Sequence, residues 1–125
     1  MFLPLLTELD RFRSYLGLRI VVSCGTQGTH TKDSWHFQGR AVDIIVPEPG
    51  ALKPLDIWIE ASRFAFTGIG LYRDWQYNGK RTGGFHLEIA PAQPVRKLWL
   101  CTSDDAGNQQ YFPFSQETLA QFQII

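Results

Sequence analysis

Cysteine is scarce in this chain: Cys24 and Cys101 are the only two in 125 residues. Two thiols are too few for a disulfide scaffold or a four-thiolate zinc site. Histidine is scarce too, so any imidazole site must draw on His30, His36 and His86. An excess of either charge is missing, since 12 Lys and Arg stand against 12 Asp and Glu. Neutralising phosphates takes a basic excess or patch, so the balance argues against a nucleic-acid partner. Long apolar runs are also missing, and about 20 such residues are needed to cross a membrane. The first residues, MFLPLLTELDRFRSYLG, begin apolar but lack a basic start, and Glu8, Asp10, Arg11 and Arg13 interrupt them. They do not read as a signal peptide. The expectation is a protein that is cytoplasmic as synthesised, with both thiols reduced. No membrane partner is expected, and without an evident dimerisation stripe the chain is expected to be a monomer.

Apolar residues make up 44% of the chain, enough to exclude disorder. The length suits one domain spanning residues 1–125. Leu5, Leu6, Leu9, Phe12 and Leu16 recur at helical spacing, and Gly17 ends that helix. Residues 18–23 read as a strand, 24–35 as a loop and 40–46 as a second strand. A helix is expected over 51–66, with Pro54 in its first turn and Leu55, Trp58, Ile59 and Phe66 buried. Strands follow at 69–72, 85–89 and 98–102, with Asn78-Gly79 marking a hairpin turn. Tyr111 and Phe112 suggest a short edge strand, and 115–123 a closing helix capped by Ser115. Trp58, Trp99 and most Phe are assigned to the core. The sum is an α+β domain: a small, mostly antiparallel or mixed sheet with flanking helices.

Chemistry concentrates in two stretches. One is Ser34-Trp35-His36-Phe37-Gln38-Gly39-Arg40-Ala41-Val42-Asp43; the other is Gly83-Gly84-Phe85-His86-Leu87-Glu88. Alternate residues of a strand share a face. Phe85, Leu87 and Ile89 would therefore face the core, with His86 and Glu88 on the other side. Asp43 likewise points away from Val42 and Ile44. Two imidazoles and a carboxylate would leave a fourth zinc position open, as in catalytic rather than structural zinc.

The pattern S-x-H-x-x-G-x-A-x-D followed by F-H-x-[DE] resembles the zinc D-Ala-D-Ala carboxypeptidase and peptidoglycan endopeptidase family (peptidase M15). The resemblance covers roughly residues 18–99, including Gly68 to Tyr72 (GIGLY). It implies the hedgehog/DD-peptidase fold and a zinc hydrolase that cuts peptidoglycan stem peptides through a zinc-activated water. It also implies His36, Asp43 and His86 as zinc ligands. Ser34 would support a ligand from behind. Many members carry the general base three residues before the last His, where this chain has Gly83; Glu88 is the nearest substitute. Many also carry an Arg for the substrate carboxylate in a segment that here reads Ser23-Cys24-Gly25-Thr26-Gln27. Arg40, Arg73, Lys80 or Arg81 would have to supply that charge. Tyr72 and Trp75 are candidate substrate contacts. His30 reads as a loop residue and Cys24 as a buried thiol. A phage or prophage lysis enzyme, or a cytoplasmic enzyme trimming wall peptides, suits the size. The alternative is a non-catalytic, zinc-retaining binding domain or a structural part of a virion.

Overall fold

The computed structural model describes residues 2–24, 39–90, 96–115 and 117–118, with Cys24 described by its backbone. Helix α1 covers Leu3–Leu16, with a proline in its first turn. Gly17 closes it in the left-handed conformation (φ 67°) and donates its N–H to the Arg13 carbonyl. A β-carbon disfavours that conformation, which suits glycine to the end of a helix. Leu5, Leu9 and Phe12, at i, i+4 and i+7, are buried against the sheet. Leu6, expected on that stripe, is 48% exposed, and Leu16 packs only partly.

Strands β1 (Val21–Cys24) and β2 (Ala41–Ile45) precede helix α2 (Pro54–Ala61). Helix α2 is shorter than the expected 51–66. Ser62 turns the chain back through its N–H and hydroxyl to the Ile59 carbonyl. Arg96 then takes the carbonyls of Ser62 and Phe64. Phe66 is buried from the segment after the helix rather than from its stripe. Ile59 points outward, 43% exposed, while Trp58 is buried as expected.

Strand β3 (Gly68–Tyr72) leads into a small hairpin of β4 (Gln76–Tyr77) and β5 (Lys80–Arg81). Its turn is Asn78-Gly79, both at positive φ (51° and 79°), as the expected tight turn requires. Strands β6 (Gly84–Glu88), β7 (Lys97–Ser103) and β8 (Gln109–Pro113) complete the fold. The six longer strands form one sheet in the order β1-β2-β6-β3-β7-β8. Within it β3 and β7 run parallel and the other neighbours antiparallel. Strand β8 is longer than the two residues anticipated. Ser115 caps as expected: the Thr118 N–H donates to its Oγ at 3.2 Å. Most of the helix expected over 115–123 lies outside the described residues. The protein is α+β with a mixed six-stranded sheet and two helices among the described residues. None of the described helices is long and apolar enough to cross a membrane.

One face of the sheet carries the core. Val42, Ile44, Ile69, Leu71, Phe85, Leu87 and Leu100 meet Leu5, Phe12, Trp58 and Phe66 from the helices and the adjoining segments. Burying each such side chain contributes about 1.5–3 kcal/mol, so the face turned to the helices is fixed by its apolar residues. The opposite face is thereby left for Asp43, His86 and Glu88.

Candidate metal centre

The register aligns three rows across that second face. Asp43 on β2 pairs with His86 on β6, which pairs with Gly70 on β3, which pairs with Trp99 on β7. One row away, Ala41, Glu88, Gly68 and Lys97 are aligned. On the other side stand Gly84, Tyr72, Cys101 and Tyr111. Because strand side chains alternate, these rows share one face.

His86 lies between two carboxylates. Its Nδ1 is 3.0 Å from Asp43 Oδ1, and its Nε2 is 2.7 Å from Glu88 Oε1. All three side chains are largely buried, at 13% exposure for His86, 16% for Asp43 and 6% for Glu88. Burial favours the neutral imidazole. Hydrogen bonds and charge from Asp43 and Glu88 outweigh it and hold the pKa at about 9. Carboxylates thus clamp the His86 ring from both sides.

Three glycines make this arrangement possible. A Cβ on Gly68 would stand 2.5 Å from Glu88 Cγ, so the missing side chain is the space the carboxylate arm occupies. A Cβ on Gly70 would overlap the Trp99 indole, and one on Gly84 would overlap the Trp75 ring. Trp99, expected in the core, therefore lies on the His86 face, 5.3 Å from it between ring centroids. Its indole N–H donates to Tyr72 Oη at 3.3 Å. Tyr72 also stacks on Trp75 at 4.2 Å and meets Tyr111 edge-on at 6.2 Å. Burial pushes the Tyr72 phenol far up, so it stays a neutral donor. Sequence reasoning passed over Trp99 and Tyr111. The alternating glycines of Gly68-Ile69-Gly70 were the available signal, since a strand face stripped of side chains must be filled from its neighbours.

The other sequence candidates divide. Tyr72 and Trp75 are on the His86 face. Arg40 is not brought there: its guanidinium lies over the Phe2 ring at 3.9 Å and reaches the Ile89 carbonyl at 3.4 Å. Arg73 is bound by Asp74 through Nε and Nη2 at 3.0 and 3.1 Å, and Arg81 reaches the same carboxylate at 3.4 Å. Lys80 is exposed on the hairpin. Gly83, three residues before His86, has φ +70°, a conformation that L side chains rarely adopt. Cys101 is a free, buried thiol whose pKa burial pushes up to about 11. His30, Ser34 and His36 lie outside the described residues, as does the Cys24 side chain.

Among the described residues, no group of three or more His, Cys, Asp or Glu is placed to hold a metal ion. Two donors nevertheless suit one. Neighbouring corners of a tetrahedral zinc site with bonds of about 2.0–2.1 Å stand about 3.3 Å apart. Asp43 Oδ1 and His86 Nδ1, at 3.0 Å, have nearly that spacing. Glu88 sits on the other ring nitrogen, where it does not join such a donor set. Compared with protein-family models, with curated proteins and with solved structures, the chain finds no significant match.

Proposed function

We propose that this protein is a zinc-dependent peptidase acting on peptidoglycan-type peptides, of the D-Ala-D-Ala carboxypeptidase and endopeptidase family, with the hedgehog/DD-peptidase fold. One observation carries the reading. The two motif residues Asp43 and His86 meet on adjacent strands with donor atoms 3.0 Å apart, on the face opposite the core. His36, from the same motif as Asp43, is the third ligand in this reading. A zinc ion held there would supply Lewis acidity, able to lower the pKa of water toward neutrality and polarise a peptide carbonyl. Tyr72, neutral and anchored by Trp99, donates a hydrogen bond to the substrate. The ring stack of Tyr72 and Trp75 flanks it and excludes water from that side.

Elemental analysis of the purified protein together with hydrolysis of purified peptidoglycan tests the reading. The expected result is about one zinc per chain, with both zinc and activity lost in His86→Ala. Absence of bound zinc, or wild-type hydrolysis by His86→Ala, refutes it. A second reading is a domain that keeps zinc for binding rather than cleavage, and the left-handed Gly83 at the usual base position favours it. Stoichiometric zinc with no cleavage of any wall peptide would select that reading.

A further inference from the structure

We infer that Glu88 is a positioning residue: from the cradle left by Gly68 it holds Nε2 of His86 and thereby aims Nδ1 at the metal. This deepens the zinc reading and rests on it. An imidazole bound to a metal through one nitrogen commonly donates its other N–H to a carboxylate, which fixes the ring and strengthens it as a ligand. Glu88 Oε1 occupies that place, 2.7 Å from Nε2, while Asp43 Oδ1 lies beside Nδ1. The two nitrogens point away from each other across the ring. A metal held by Asp43 and Nδ1 would carry its water on that side of the ring, and Glu88, at Nε2, would be on the wrong side for taking that water's proton.

The surroundings hold the carboxylate in this role. Glu88 is 5% exposed, and among the described residues its carboxylate has His86 as its hydrogen-bond partner. Its backbone is fixed as well, since its carbonyl accepts the N–H of Thr67 at 2.8 Å and the Thr67 hydroxyl at 3.3 Å. Its arm lies where a side chain at position 68 would be, 2.5 Å from the place of a Cβ on Gly68. Gly68 does not have a positive φ, so an alanine there meets the Glu88 arm rather than a backbone conformation it cannot adopt.

Zinc affinity, measured by competition with a chromophoric chelator, separates the roles when read beside hydrolysis. Glu88→Ala and Gly68→Ala should each weaken zinc about 10–100-fold, the usual cost of losing such a partner. Glu88→Gln should stay within a few-fold of wild type in both zinc affinity and hydrolysis, because its amide oxygen still accepts the Nε2 proton. In the cobalt-substituted protein, Glu88→Ala should shift the visible absorption bands and Glu88→Gln should leave them in place. Circular dichroism confirms that each variant is folded; if Glu88→Ala is not, Gly68→Ala and Glu88→Gln decide. Glu88→Gln that binds zinc normally but loses hydrolysis makes Glu88 the proton acceptor and overturns the inference. Unchanged affinity in both Glu88→Ala and Gly68→Ala overturns it too. In either case wild type still binds zinc and the peptidase reading stands. Wild type that binds no zinc removes both.

Discussion

Gly70→Ala isolates one contact on the site face. Its Cβ would fall on the Trp99 indole, against Cε2, Nε1 and Cζ2. Those atoms belong to a ring packed beside His86 and bonded to Tyr72, so the ring cannot move without losing both contacts. Overfilling a packed site costs about 1–3 kcal/mol. Gly70 is not at positive φ, so alanine also brings the usual gain of about 0.4–1 kcal/mol from a less flexible unfolded chain. The net expectation is a loss of about 1–2 kcal/mol, or about 3–5 °C of Tm per kcal/mol at this size. In a Trp99→Leu background the clash is gone, and the same substitution should be neutral or stabilising by about 0.4–1 kcal/mol. Urea unfolding of the four proteins, followed by far-UV circular dichroism, gives the coupling directly. An equal cost in both backgrounds, or a stabilised single variant, would refute the account of Gly70 as space reserved for the indole.

Glu8, 5% exposed, accepts the Ala65 N–H at 2.5 Å and pairs with Arg11 at 2.7 Å. Glu8→Ala should cost about 1–3 kcal/mol by removing the side chain that holds that amide and Arg11, and an unchanged urea midpoint would count against it. Asn78→Ala places an ordinary side chain at φ 51° and should cost about 1 kcal/mol; a variant as stable as wild type argues against the tight turn. For Asp74, burial raises the carboxyl pKa, but Arg73, the Ser103 N–H and Arg81 outweigh it and hold the carboxyl below the usual carboxylate range. A depressed carboxyl stabilises the fold above its unfolded pKa and loses that contribution as pH falls through the folded value. The stability gap between wild type and Asp74→Asn should therefore be largest near neutrality and narrow below about pH 4. A gap that widens in acid would contradict it.

The sequence was most legible where local rules and tertiary packing agree. Helix α1 buries Leu5, Leu9 and Phe12 and ends at Gly17 much as its pattern predicts, and Asn78-Gly79 makes the hairpin. Alternation along 85–89 placed His86 and Glu88 together correctly, because one face of β6 has nowhere to go but the core. It failed where a long-range contact decides. Arg96 takes carbonyls just beyond α2, and nothing in 51–66 announces that. Trp99 looked like core because a tryptophan in an apolar strand usually is. Its actual place depends on glycines in β3, a strand that meets it only through the parallel pairing. The roles of the two nitrogens of His86 were equally out of reach, since composition and spacing do not say which carboxylate meets which nitrogen.

The strand order has a kinetic meaning. Strands β6 and β3 are innermost in the sheet, and β6 is hydrogen-bonded on both sides, to β2 and to β3. Amides in such a position exchange with solvent chiefly when the whole domain opens, not through local fraying. His86 and Glu88 should thus be among the slow-exchanging residues of the sheet. Asp43 is held beside them by a strand that is itself paired on both sides. The geometry around the imidazole should then vanish in the same step as the fold, so that conditions sparing the domain spare the centre as well.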